Sequence, residues 1–179
     1  MPRWFWPGLV ILAMLVGGWF GWQQRQLLRY QATAHQSFVD EFQNGIRGAY
    51  SDVESARRAL EHGNASLAAV ALGDVENDLR LMWLGANGMS IGRDGYTVSL
   101  TVVGRYQSEA NMLQGQLLTG ATGGDVQTRL DDLSHDMTLL LQQLGDHAQR
   151  DWLAHATPAE FSVRYQEWRQ QALIKPDVP

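Results

Sequence analysis

The sequence contains no cysteine, which excludes disulfide bonds, thiolate metal sites and cysteine nucleophiles. It is also short of positive charge: 14 lysine and arginine residues stand against 19 aspartate and glutamate residues, and the formal net charge is −5. Because the basic residues form no stripe along the chain, we expect no nucleic-acid partner. Phosphate-cradling glycine loops, zinc knuckles and haem motifs are also missing, so we predict no cofactor.

Charge is missing altogether from the stretch between Trp4 and Trp22. As a helix that rises ~1.5 Å per residue, this stretch would extend roughly 28 Å, close to the ~30 Å hydrocarbon core of a bilayer. Indole rings prefer the headgroup interface, and they stand at both ends, with Trp6 beside Trp4 and Trp19 close to Trp22. We therefore predict a single transmembrane helix over residues 4–22, with these four tryptophans at its membrane interfaces.

A cleaved signal peptide is the alternative for this stretch, because signal peptides also carry an apolar run behind a positive charge. Their apolar run is shorter, and small residues follow it. Here Val16-Gly17-Gly18 makes a poor cleavage site, and the bulky Trp19 and Phe20 follow it directly. We therefore favour a permanent span.

The orientation of the span rests on the flanking charges. Only Arg3 and the amino terminus precede it, whereas Arg25 and Arg29 follow it, so the positive-inside count is nearly balanced. A three-residue stub is typical of a signal anchor that exports the chain behind it. We therefore predict a cytoplasmic stub at residues 1–3 and a single-pass membrane protein whose bulk is extracytoplasmic.

From residue 23 to about residue 61 the chain has no proline, and a heptad pattern runs along it. Its positions are Leu28, Ala32, His35, Val39, Phe42, Ile46, Ala49, Val53, Ala56 and Leu60. Such a pattern is typical of a helix packed along another helix, and it could equally pair two copies of the chain as a homodimer. We expect the membrane helix to continue into this helix. His35 is then a core residue, a polar residue that sets the helix register, or a pH-sensitive group.

Three further segments show the same periodicity. Their apolar positions are Ala68, Leu72, Val75, Leu79, Met82 and Ala86; then Tyr96, Ser99, Val103, Tyr106, Ala110, Leu113 and Leu117; and then Val126, Leu130, Leu133, Met137, Leu140, Leu144 and His147. Turn-forming residues at 62–64, 87–95 and 119–124 separate the segments. Long amphipathic segments with short connections predict an antiparallel four-helix bundle over residues 23–156.

Residues 96–103 are the one ambiguous element of this pattern. Tyr96, Val98, Leu100 and Val102 alternate as in a strand, whereas the longer window fits helical steps. We predict a helix, because an isolated strand would lack a partner apart from a weak hairpin.

A short fifth helix is predicted at the C-terminal end. Thr157 and Glu160 form a capping box around Pro158 at the first helical position, and a frayed tail completes the segment 157–179. Its apolar face carries Phe161, Tyr165 and Trp168. That face either packs on the end of the bundle or docks a partner. The predicted fold class is thus all-α: one transmembrane helix, a four-helix bundle and this fifth helix.

Residues 88–92 match the G-x-S-x-G motif of serine hydrolases, with Ser90 in the place of the nucleophile. That motif works on a strand-to-helix turn above a parallel sheet. Here a heptad helix precedes it and residues 93–95, Arg-Asp-Gly, follow it, so we interpret it as an interhelical loop. A hydrolase that uses Ser90 is a remote alternative.

Two groups of side chains resemble metal ligands. His147, Asp151 and His155 follow one another at steps of four, which would place them on one face of the fourth helix. Asp132 and His135 vaguely resemble half of a di-iron motif, which needs two copies and further glutamates. We predict no metal site, no catalytic residue and no enzymatic activity.

The order of elements resembles a known family. The chain leaves the membrane at Gly21-Trp22 and enters a helix with the sequence ATAHQSFVDEF at 32–42. Gly104-Arg105-Tyr106 lies in the third helix and Arg150-Asp151-Trp152 near the end of the fourth. This resembles the N-terminal, membrane-anchored helical part of the spore germination protein that partners a cortex-lytic enzyme. The family also has C-terminal PepSY-type domains, to which nothing here corresponds, and the resemblance implies no catalytic residues.

From these features we expect a non-enzymatic helical module, anchored in the cell membrane or the spore inner membrane, that binds or stabilises a protein partner. The resemblance implies a partner in the spore envelope or in germination. The alternative is a sensory ligand-binding bundle like those of chemoreceptors. Such bundles have a second span, and because no apolar run of that length follows residue 156, sensing would need a partner subunit.

Overall fold

The computed structural model describes residues 5–90 and 98–174, apart from the side chains of residues 5–13, 31, 89–90, 98–102, 147 and 158. All regular secondary structure in this part of the chain is helical, which confirms the all-α prediction. The six α-helices are α1 (Phe5–Glu61), α2 (Ala65–Ser90), α3 (Val98–Leu118), α4 (Gly124–Leu140), α5 (Arg150–His155) and α6 (Pro158–Gln171). A π-helical turn (Leu141–Gly145) and a 3-10 turn (His147–Gln149) lie between α4 and α5.

The chain divides into two compact units, residues 1–36 and residues 37–179. Helix α1 begins in the first unit and ends in the second, so the prediction that the N-terminal helix continues into the next helical segment is confirmed. No proline interrupts α1 after its first turn, which leaves its backbone hydrogen bonds intact.

Most of the core of the second unit consists of predicted heptad positions. On α1 these are buried from Val39 to Leu60, and all six predicted positions of α2 are buried as well. The same core includes Val103, Tyr106, Ala110, Leu113 and Leu117 of α3, the predicted α4 positions from Val126 to Leu140, and Leu144 of the π-helical turn. The heptad pattern of α1 extends further than its burial, because Leu28 and Ala32, which belong to the first unit, are exposed.

Helices α1 and α2 approach each other until their backbones touch. A Cβ atom at Gly45 would lie 2.6 Å from the carbonyl oxygen of Asp78, and a Cβ atom at Gly85 would lie 2.5 Å from the carbonyl oxygen of Phe38. Real Cβ atoms do not come this close, so only glycine fits at either position. Asp78 of α2 lies against Gly45 of α1, whereas Gly85, which comes later on α2, lies against Phe38, which comes earlier on α1. The two helices therefore run in opposite directions here.

The predicted loop at 87–95 is wrong for its first residues. Helix α2 continues to Ser90, because Gly88 packs against the ring of Phe38, whose Cε1 atom would lie 2.5 Å from a Cβ atom at that position. The predicted loop residues after Ser90 lie outside the described part. The helical interpretation of residues 96–103 is confirmed from Val98 onward, because α3 begins there and buries Val103.

The predicted continuous fourth helix is also wrong, because the helix is interrupted after Leu140. A π-helical turn follows, and at Asp146 the backbone is extended, with φ −66° and ψ 143°. The buried side chain of Gln43 on α1 donates hydrogen bonds to the carbonyl oxygens of Leu144 (3.0 Å) and Asp146 (3.2 Å). A partner on another helix thus satisfies carbonyl groups that a continuous helix would satisfy itself.

The C-terminal helix α6 starts with the predicted capping box. The amide of Glu160 donates to the Thr157 hydroxyl (3.3 Å), and the amide of Thr157 donates to the Glu160 carboxylate (2.7 Å). The apolar face of α6 is buried within the second unit, with Phe161, Tyr165 and Trp168 at most 3% exposed. These side chains therefore belong to the core, and the alternative of an accessible partner surface formed by them is wrong.

Candidate functional site

The first unit carries a run of large apolar side chains that are exposed. They are Met14, Leu15, Val16, Trp19, Phe20, Trp22, Leu27, Leu28 and Tyr30. Soluble protein surfaces rarely collect so many apolar groups in one place, and such patches mark contacts with a membrane or another protein. This run, residues 14–30, is the candidate functional site, and we call it the exposed apolar segment.

Two of the predicted interface residues lie at the centre of the exposed apolar segment. Trp19 and Trp22 are 59% and 55% exposed, and their ring centroids are 5.6 Å apart. Trp4 lies outside the described residues, and the side chain of Trp6 is not among those described; both aromatic belts stay predictions. Among the described residues, no helix combines the length and the apolar character that crossing a bilayer requires.

The second notable site is a pair of carboxyl groups at the α1–α2 contact. Asp78 of α2 lies against Gly48 of α1. A Cβ atom at position 48 would be 2.7 Å from the Oδ1 atom of Asp78. Burial, the hydrogen bond with Asp52 of α1 and the charges of Asp52 and Asp74 raise the pKa of Asp78 to about 6. Burial also raises the pKa of Asp52. Asp78 therefore changes its charge near pH 6, and sequence periodicity gave no sign of this pairing.

A third polar cluster lies inside the second unit, at the end of α6. The Asp136 carboxylate is fully buried and accepts hydrogen bonds from the Tyr106 hydroxyl (3.0 Å) and from the backbone amides of Leu173 (2.8 Å) and Ile174 (2.9 Å). Burial and the adjacent Asp136 carboxylate raise the pKa of the Tyr106 hydroxyl, which keeps it protonated. The cluster holds the chain behind α6 against α3 and α4.

Sequence reasoning missed Asp136, although a signal was present. Asp136 follows Leu133 by three residues and precedes Leu140 by four, which puts it on the buried face of α4. Asp132 and His135, which resemble half of a di-iron motif, lie away from this face: Asp132 is half-buried and His135 is exposed.

The residues that resembled a hydrolase motif do not form a nucleophile elbow in the described part of the chain. Gly88 to Ser90 form the last turn of α2, so the residues before the motif are helical and do not form a strand. The side chain of Ser90 and the remainder of the motif are not among the described groups. The elbow needs a strand-to-helix turn to expose its serine, so this geometry gives the hydrolase alternative no support.

The three side chains that resemble metal ligands do not lie on one continuous helix. His147 lies in the 3-10 turn, while Asp151 and His155 lie on the short α5, where both are exposed. His155 donates from Nδ1 to the backbone carbonyl of Asp151 (2.8 Å), which occupies one ring nitrogen. Among the described residues, no group of three ligands is placed to hold a metal ion.

Comparison of the chain with protein-family models, curated proteins and solved structures finds no match.

Proposed function

We propose that this protein is a membrane-anchored helical module that binds a protein partner on the extracytoplasmic side. The anchor is the segment 4–22, which carries no charge and has tryptophans at both ends. The observation that carries the proposal is the exposed apolar segment, because side chains such as Trp19, Phe20 and Trp22 lose unfavourable contact with water when they enter a bilayer interface.

In this proposal the second unit is an antiparallel four-helix bundle, with α6 packed against it. The shared core of α1 to α4 and the opposite directions of α1 and α2 support this arrangement. Its partner surface includes Leu67 and Val70 on α2, which are three residues apart and more than half exposed. The resemblance to the germination protein suggests a partner from the spore envelope, and no catalytic residue is assigned.

One observation favours the alternative of a sensory bundle. The Asp52–Asp78 pair couples the charge at the α1–α2 contact to pH, and α1 is the helix that also contains the anchor segment. A proton would then be the stimulus, and a partner subunit would carry the signal across the membrane. Partner binding that changes severalfold between pH 5 and pH 7.5 would favour this role over that of a constitutive scaffold.

Alkaline carbonate extraction of membranes tests the anchor. The full-length protein should stay in the membrane pellet. The variant Leu15→Arg/Val16→Arg should move to the supernatant, because an arginine deep in a span costs about 2.5–3.5 kcal/mol. The matched control Leu67→Arg/Val70→Arg adds the same charge on α2 and should stay in the pellet. Extraction of the wild-type chain would refute the anchor.

Co-purification from detergent-solubilised membranes tests the binding role. The wild-type chain should retain a stoichiometric protein partner, and Leu67→Arg/Val70→Arg should lose it while its helical circular dichroism is unchanged. A wild-type chain that elutes without a partner would contradict the proposed binding role. A partner that the wild-type chain and Leu67→Arg/Val70→Arg retain equally would contradict the proposed surface.

A further inference from the structure

The charge of the chain is unevenly distributed around the exposed apolar segment. All 19 acidic residues lie from Asp40 onward, so the first 39 residues contain arginines and no acidic residue. Asp40 itself forms an ion pair with Arg150, with 2.8 Å between Oδ2 and the guanidinium nitrogen. The arginines of the first unit therefore have no carboxylate of their own segment to neutralise them.

Two of these arginines lie on the same side of α1 as an interface tryptophan. Trp22, Arg25 and Arg29 follow one another at steps of three and four residues, and all three side chains are exposed. With a rise of ~1.5 Å per residue, Arg25 lies about 4.5 Å and Arg29 about 10 Å beyond Trp22 along the helix axis. We call this side of α1 the Trp22–Arg29 face.

The direction of helical side chains brings both guanidinium groups back toward the tryptophans. Every Cα–Cβ bond of an α-helix tilts toward the helix N-terminus, and long side chains on a helix lean the same way. Arginines near a membrane also extend their apolar stems along the interface while the charged end stays among polar groups. Arg25 and Arg29 therefore reach toward the layer in which indole rings settle, which is the layer of the phospholipid phosphates.

We infer that the Trp22–Arg29 face binds anionic phospholipids, with the guanidinium groups of Arg25 and Arg29 on the phosphate esters. This inference rests on the proposed membrane anchor and specifies the lipid at its boundary. Guanidinium groups form paired hydrogen bonds with phosphate oxygens, so they suit this role better than a point charge. Both arginines should prefer anionic to zwitterionic headgroups. In a zwitterionic headgroup a positive group of the lipid already balances the phosphate charge, whereas an anionic headgroup keeps a net negative charge.

Native mass spectrometry of the full-length protein in a non-ionic detergent tests the inference. The protein is titrated with phosphatidylglycerol and, separately, with phosphatidylcholine of the same acyl chains. We expect bound phosphatidylglycerol to exceed bound phosphatidylcholine by at least about tenfold, as two basic residues next to an anionic headgroup allow. Arg25→Gln/Arg29→Gln should bind the two lipids about equally.

The control variant Arg58→Gln/Arg80→Gln removes the same charge from exposed arginines of the second unit and should keep the preference. An unchanged preference in Arg25→Gln/Arg29→Gln, or equal binding of both lipids by the wild-type chain, would overturn the inference. Soluble glycerophosphoglycerol separates a lipid site from a simple phosphate site. If it displaces phosphatidylglycerol at equal concentration, the assignment to a lipid is wrong.

The failure of this inference can be told apart from the failure of the anchor. Arg25→Gln/Arg29→Gln should stay in the membrane pellet on carbonate extraction, because both residues lie outside the segment 4–22. A wild-type chain that stays in the pellet without any lipid preference overturns only the lipid inference. Extraction of the wild-type chain overturns both.

Discussion

Replacement of Asp78 by asparagine should change how the stability of the second unit depends on pH. In the folded protein the pKa of Asp78 is raised to about 6 by burial and by its carboxylate neighbours, whereas in the unfolded chain it is about 3.9. A raised pKa means that the folded state holds the proton more tightly. The stabilisation from this group is therefore complete below pH ~3.9 and is lost as the pH rises through about 6.

The size of the effect follows from the pKa difference. Two pKa units correspond to about 3 kcal/mol in the free energy of unfolding, which is an upper limit. Asp78 is only half-buried, so solvent screening reduces the expected loss to about 1–1.5 kcal/mol between pH 4.5 and pH 7.5. Asp78→Asn removes the ionisable group and keeps a hydrogen-bond donor for Asp52. The variant should therefore exceed wild type by about 1 kcal/mol at pH 7.5 and lose this advantage at pH 4.5.

Urea unfolding of the full-length chain in a non-ionic detergent, followed by circular dichroism at pH 4.5, 6.0 and 7.5, measures this difference. Carboxylates that do not interact with Asp78 contribute equally to both proteins and cancel in the comparison, so the difference reports the acid pair and its neighbour Asp74. Asp132→Asn removes a carboxylate of α4 and should not reproduce the change of slope. If wild type and Asp78→Asn differ by the same amount at all three pH values, the reasoning about the acid pair is refuted.

Three further predictions concern stability in the same unfolding assay. Gly85→Ala should cost about 2–4 kcal/mol because its Cβ atom would press into the backbone of α1. Gly104→Ala, which has open space around it, should stabilise α3 by about 0.5–1 kcal/mol. Equal effects of the two substitutions would contradict the close contact. Asp136→Ala should cost about 3–5 kcal/mol because three donors, two of them buried, lose their acceptor, and Tyr106→Phe should cost about 1 kcal/mol; the reverse order would argue against the cluster. Gln43→Leu should cost about 1–3 kcal/mol, and a neutral result would mean that water replaces its amide at the helix interruption.

Local periodicity predicted much of the second unit. The apolar positions of α2 are buried as the heptad pattern requires, and the capping box at Thr157 starts α6 where the sequence places it. These features depend on residues within one or two turns of each other, so the sequence alone determines them. Part of the exposed apolar segment was also visible in the sequence, because the run without charges between Trp4 and Trp22 needs no tertiary information to be recognised.

Other features were decided by partners that are distant in the sequence. The heptad pattern of α1 does not reveal that burial begins at Val39 among its described side chains, since this depends on where the other helices pack. Two carboxyl groups such as Asp52 and Asp78 repel each other, so no pattern predicts their pairing; the missing side chain of Gly48 allows it.

The interruption of the fourth helix shows the same limit. Its heptad pattern continues past Leu140, and nothing local requires a break. The break is stabilised by Gln43, which is about a hundred residues away in the chain and binds two carbonyl groups released there. The sequence by itself thus determined which segments are helical and which faces are apolar, because both follow from short-range periodicity. Only the tertiary structure decided where those helices stop and which polar groups meet inside, because each such group needs a partner from another helix.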